Sequence, residues 1–115
     1  MKIIRFWDGE RIGYGISEAE GVRVVKGDNF RDYSLGSKVY DKRQIQVLAP
    51  CEPTKVVCIG LNYTDHAEEL SMDIPEQPIV FIKPASTVIG PGANIIYPPQ
   101  CTRLDYEAEL AVVIG

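Results

Sequence analysis

RLDYEAELAVVIG, residues 103–115, sets the reading of the whole chain. In an extended strand, alternate side chains share a face. Asp105, Glu107 and Glu109 then fall on one side, and Leu104, Tyr106, Ala108, Leu110, Val112 and Ile114 on the other. Carboxylates two residues apart lie about 7 Å apart along a strand. Like charges lined up this way repel, more strongly as water is excluded. Two arrangements satisfy the pattern: the acids are the wet side of a half-buried strand, or they face a cation. LAVVIG is apolar on both faces, which predicts a buried end and puts the carboxylates where the strand leaves a core.

The rest of the chain bounds what such a strand can belong to. Its 115 residues suffice for one small domain, or for one and a half. A hydrophobic content of 45% with 24% charged residues marks a globular chain, not a disordered one. The net charge of −4 and the absence of a Lys/Arg cluster argue against nucleic acid as a partner. No apolar run approaches the roughly 20 residues of a membrane span, and MKIIRFWDGERIG lacks the apolar stretch of a signal peptide. Cys51, Cys58 and Cys101 are odd in number and form no C-x-x-C pair, which predicts reduced thiols and a cytoplasmic protein. Cys58, within KVVCIG, reads as a core thiol.

Two regions are expected. Residues 1–52 read as a small β-rich domain. KIIRF and RIGYGI form a hairpin about Asp8-Gly9, and EAEGVRVVKG repeats the theme about Gly21. FRDYSLGSKV is ambiguous, and Pro50 and Pro53 punctuate a boundary near residue 52. Residues 53–115 change character. KVVCIGLNY predicts a buried strand and a turn in which Gly60 supplies backbone freedom. NYTDHAEELSM has helical spacing, with Asn62 or Thr64 as N-cap. IVFIKP is a second apolar strand, and STVIGPGANIIYPPQCTR is loop with a short strand. Ending inside an apolar strand carries the expectation that the chain is a piece of a longer protein, or that a partner completes it.

His66 is the one histidine. Glu69 lies three positions on, so both occupy one face of a helix. A carboxylate at that spacing can orient the imidazole and raise its basicity, and the imidazole can move a proton. The plain alternative is a surface histidine on a short acidic helix with Asp65 and Glu68. Asn62 and Tyr63 hold the turn before it. Lys83 closes an apolar run, either as an edge residue with its head in water or as a contact for an acidic substrate. These three are the candidate substrate-binding residues.

With those residues in place, the stretches IGLNYTDHAEEL, PIVFIKPAST, IGPGANI and LDYEAELAVVIG resemble, in that order, the start of the catalytic domain of the fumarylacetoacetate hydrolase family, over residues 53–115. Residues 1–52 resemble the small β-rich N-terminal extension of many bacterial and archaeal members. The resemblance implies an α+β, mostly β fold of the fumarylacetoacetate hydrolase type, incomplete at the C-terminus, and a homodimer. It implies Mg²⁺ or Mn²⁺ with Glu107 and Glu109 as ligands, in a motif to which Asp105 also belongs. It places the third acidic ligand, an aspartate, and a substrate-contacting lysine beyond residue 115, so this chain by itself is expected to be inactive. His66 and Glu69 match the family's water-activating dyad, within a lid that extends to about Pro78. Leu61 stands where some decarboxylase and acylpyruvase-type relatives have arginine.

The implied function is a metal-dependent isomerase or hydrolase of small 2-oxo or 2-hydroxy-dienoic acids, such as 2-hydroxyhepta-2,4-diene-1,7-dioate, in aromatic catabolism. The alternatives are an acylpyruvate hydrolase, an oxaloacetate decarboxylase, or a non-catalytic dimerisation module.

Overall fold

The structure, a computed structural model, describes residues 1–115. It divides into two compact units, one of Met1–Cys51 with Ile89–Gly115 and one of Glu52–Val88. The chain is mostly β, with a single short α-helix.

The first unit is built on a five-stranded antiparallel sheet. Its strands are β1 (Ile3–Trp7), β2 (Ile12–Ser17), β3 (Val22–Gly27), β4 (Tyr33–Tyr40) and β5 (Gln46–Val47), in the order β4-β3-β2-β1-β5. The hairpin expected about Asp8-Gly9 joins β1 to β2, with Ile3 opposite Ile16 and Trp7 opposite Ile12. Asp8 drives the turn. Its Oδ1 accepts the backbone N–H of Glu10 and of Arg11, at 3.0 and 2.9 Å, and Gly9 supplies the positive φ of 99° that follows. Within the ambiguous FRDYSLGSKV, residues 30–32 turn the chain and residues 33–39 form most of β4.

Pairing between β3 and β4 is irregular. Arg23 opposes Val39 but Val25 opposes Leu35, so Val24 alone faces residues 36–38. Such a bulge sharpens the local twist and redirects side chains.

The core is small. Phe6 (2% exposed), Val22 and Tyr40 form it, with Ile4, Val24 and Ile45 packed around them. Tyr40 meets Phe6 edge-on, ring centroids 5.4 Å apart, a favoured aromatic geometry. β2 is glycine-spaced where it crosses this core. A Cβ at Gly15 would lie 2.5 Å from Val22 Cγ1 and 2.8 Å from the Arg23 carbonyl oxygen, so no other residue fits.

In the second unit, β6 (Val56–Gly60) and β7 (Ile79–Lys83) pair antiparallel, from Val56 opposite Lys83 to Gly60 opposite Ile79. Between them lies α1 (Thr64–Glu69). These strands depart from the expected burial. β6 alternates half-buried and exposed, β7 is exposed throughout, and Cys58 is half-buried, not a core thiol. Two strands alone cannot cover their own apolar faces.

The largest departure is at residues 103–115. No strand forms there, nor within residues 86–103. Residues 102–115 are exposed throughout, with Tyr106 and Ile114 at 94% and 86%. The expected core face does not exist, because a strand needs a ladder partner for its N–H and C=O groups and none of β1–β7 pairs with this segment. Alternation of side chains describes a strand once it is paired; it does not create the pairing. No helix is long and apolar enough to cross a membrane.

Candidate functional site

The expected chemistry-bearing residues fall into two groups, each within one unit. The first group is on α1. β6 delivers the chain to a sharp turn, and the residue that turns it is Leu61, at φ 50°, not Gly60, which stays in the ladder opposite Ile79. A leucine in the left-handed region is strained. The helix that follows is capped at its N-terminus by neither Asn62 nor Thr64. Tyr63 takes the N-cap position without a side-chain bond, and the Thr64 hydroxyl bonds Asp65 instead, at 3.2 Å.

The far end is well closed. The Ser71 N–H reaches the Glu68 carbonyl and the Met72 N–H reaches the Ala67 carbonyl, with Ser71 at φ 53°. That is the Schellman arrangement, usually made with glycine. It fixes the helix to under two turns and leaves Ala67 as its one buried side chain.

On this helix His66 Nδ1 lies 3.7 Å from Glu69 Oε2. That is ion-pair reach for a protonated imidazole and too long for a hydrogen bond. The imidazole is partly buried, at 38% exposure, and the carboxylate is open to water at 76%. Catalytic pairs are often loose before substrate arrives and tighten with it. Asn62 and Tyr63 are exposed in the turn immediately before the helix. Lys83 ends β7, with its ammonium 5.8 Å from the centre of the Phe81 ring, the placement of an edge lysine lying along apolar surface.

The second group is in residues 103–115. Glu107 and Glu109 are exposed, two residues apart. Asp105 is engaged by Arg103, whose Nε lies 2.8 Å from Oδ2, so its charge is already countered within the segment. As hard oxygen donors the two glutamates suit Mg²⁺ or Mn²⁺. The conformation gathers no group of three or more histidine, cysteine, aspartate or glutamate side chains around a common point.

One well-built polar group escaped the sequence reading. Tyr40 donates its hydroxyl to Asp8 Oδ2 across the sheet. With the two turn N–H groups, this holds the Asp8 carboxyl down at about 2, the Tyr40 bond being the largest cause. Asp8-Gly9 signals a turn, but nothing local signals a partner 32 positions away.

Two family profiles match successive stretches of the chain. The profile of the fumarylacetoacetate (FAA) hydrolase C-terminal family matches residues 55–115, and one described as Rv2993c-like, N-terminal matches residues 1–50. A protein of Archaeoglobus fulgidus is 54% identical over 111 residues, which is 96% of this chain and 41% of that protein. The mitochondrial oxaloacetate tautomerase FAHD2A of Bos taurus is 49% identical over 78 residues, 67% of this chain and 25% of the relative. Among solved structures, one of a Mycobacterium abscessus protein superposes with a TM-score of 0.73 at 32% identity, covering 89% of this chain and 40% of that one. The chain thus spans well under half the length of the relatives it matches. On the matched profile over residues 55–115, the chain belongs to the fumarylacetoacetate hydrolase family.

Proposed function

We propose that this chain forms part of an enzyme that moves protons on small 2-oxo acids, interconverting keto and enol forms. The observation that carries the reading is the His66–Glu69 pair at 3.7 Å on α1, inside the region the family profile matches. The oxaloacetate tautomerase relatives support the choice of a proton shift on a 2-oxo dicarboxylate over carbon–carbon hydrolysis. The dienedioate isomerase reading asks for the same proton movement on a longer, conjugated acid, and it stands as the alternative substrate.

In the proposed step, His66 accepts a proton from the carbon beside the 2-oxo group. The electron pair of the broken C–H bond becomes the C=C of the enol, the C=O π pair moves onto oxygen, and the imidazolium gives its proton to that oxygen, directly or through water, which restores neutral His66. Glu69 acts as a positioning residue that favours the imidazolium while it holds the proton. Glu107 and Glu109 would hold a divalent cation, Mg²⁺ or Mn²⁺. When bound, such an ion supplies positive charge to the substrate carboxylate and to the oxygen that becomes the enolate. Tyr63, Asn62 and Lys83 are the side chains we assign to substrate contact, and a homodimer is the assembly we expect.

The test is turnover of oxaloacetate enol and of 2-hydroxyhepta-2,4-diene-1,7-dioate, followed by ultraviolet absorbance, in a natural protein that carries this sequence. His66→Ala should lose about 10²- to 10⁴-fold in kcat. Wild-type turnover in that variant would end the proposal.

A further inference from the structure

Leu61 holds a backbone conformation that its own side chain disfavours, five positions before the histidine assigned to proton transfer. Its φ of 50° lies in the left-handed region, where a Cβ crowds the following carbonyl oxygen. A glycine stands one position earlier and does not take the turn. Gly60 stays in the ladder opposite Ile79 without a positive φ. A Cβ on Gly60 would meet Ile79 Cγ2 at 3.5 Å, an ordinary contact, so neither space nor backbone conformation requires glycine there. The change of direction after β6 therefore rests on Leu61.

The helix that follows has little else to fix its direction. α1 has six residues, well short of the length at which a helix is stable alone. Its N-terminus has no side-chain cap, and Ala67 is its one buried side chain. Its far end closes through Ser71, the other left-handed residue that is not glycine. Only Leu61, Asn62 and Tyr63 separate β6 from α1, and Tyr63 is extended, at φ −117° and ψ 129°. Moving Leu61 into the extended or right-handed region would swing Asn62, Tyr63 and His66 together away from their present place beside β6. Conformations of this kind persist only where the surroundings enforce them, and they gather at sites where placement matters.

We infer that Leu61 is a positioning residue for His66, its left-handed backbone aiming α1 from the end of β6. The role belongs to the backbone conformation and not to the leucine side chain. The inference rests on the proton-transfer reading of His66 and adds to it the residue that sets where the imidazole stands.

The test compares Leu61→Val, Leu61→Asn and Gly60→Ala in a natural protein that carries this sequence, by turnover of the two acids above and by amide hydrogen exchange. Valine keeps the apolar character but, being β-branched, resists the left-handed region, whereas asparagine changes the chemistry and accepts it. Leu61→Val should lose at least about tenfold in kcat, as a misplacement of about 1 Å can. The Ala67 and Leu70 amides, bonded to the Tyr63 and His66 carbonyls, should exchange faster in it, with β6 and β7 unchanged. Leu61→Asn should keep wild-type exchange and most of the turnover, and Gly60→Ala should do the same. A side-chain packing role gives the opposite order, valine above asparagine. That order, or a loss in Gly60→Ala as large as in Leu61→Val, would overturn the inference. If the wild type turns over neither acid, the reading of His66 fails on its own account and exchange alone judges Leu61. Faster exchange at Ala67 and Leu70 in Leu61→Val but not in Leu61→Asn then supports the aiming role, and equal exchange in the two overturns it.

Discussion

The Tyr40 hydroxyl donates to Asp8 Oδ2 and so ties the β1–β2 turn to the last residue of β4, on the other side of the sheet. The bond makes one carboxyl responsible for two things, the shape of the turn and the closure of the core edge where Tyr40 meets Phe6. Its folded-state pKa of about 2 lies below the ordinary 3.8. A depressed pKa means that the ionised form stabilises the fold above pH 3.8, and that this contribution is lost as pH falls toward 2. We expect the melting temperature of the wild type to drop more steeply between pH 4 and 2 than that of Asp8→Asn, with Tyr40→Phe between them. Parallel curves for all three in a circular dichroism melt series would show that the bond contributes nothing in solution.

Gly15 and Gly13 face similar neighbours and should respond in opposite ways. Gly15→Ala drives a methyl to 2.5 Å from Val22 Cγ1 and against the backbone of Arg23, which cannot yield cheaply. A destabilisation of about 1–3 kcal/mol is expected, read from the urea midpoint. Gly13→Ala meets only the Phe6 ring at 3.4 Å and should cost little. Equal midpoints for the two variants would contradict the packing of β2 on Val22.

How much of this was legible beforehand depends on where each signal is stored. The β1–β2 hairpin and the helix bearing His66 and Glu69 were readable, because turn chemistry and helical spacing are local. The identity of the left-handed residue was not. Gly60 was the natural choice, yet the register of β6 with β7 keeps it paired and passes the strain to Leu61. The Asp8–Tyr40 bond was invisible for a similar reason, since it depends on strand order. Residues 103–115 mark the limit of pattern reading. Their alternation is sound, but it needs a neighbouring strand that β1–β7 do not provide.

That segment gives the next expectation. Backbone amides of residues 104–114 should exchange with solvent at nearly unprotected rates in the 115-residue chain, because no ladder holds them. Amides of β2, paired on both sides by β1 and β3, should be the slowest. Hydrogen-exchange mass spectrometry separates the two regions by peptide. Protection over 104–114 equal to that of β2 would mean that the segment is paired after all.

The proposed ligand role of Glu107 and Glu109 gives a further expectation. Two exposed carboxylates would hold a divalent cation weakly, since Mg²⁺ and Mn²⁺ sites depend on several oxygen donors held at once and no group of three or more is gathered here. With a Kd no tighter than about 1 mM, 1 mM Mn²⁺ would stabilise this chain by no more than about 0.4 kcal/mol. The expected result is an essentially unchanged melting temperature and a free-Mn²⁺ electron paramagnetic resonance signal that micromolar protein does not quench. In a natural protein that adds further acidic ligands, the same titration should show tight binding that Glu107→Gln weakens by at least about tenfold, a loss of about 1.4 kcal/mol. Tight binding to the 115-residue chain, removed by Glu107→Gln, would show that these residues gather a complete centre unaided. If instead the longer protein bound tightly but Glu107→Gln made no difference, Glu107 would not be a ligand, and the two glutamates would return to being the wet face of an unpaired segment.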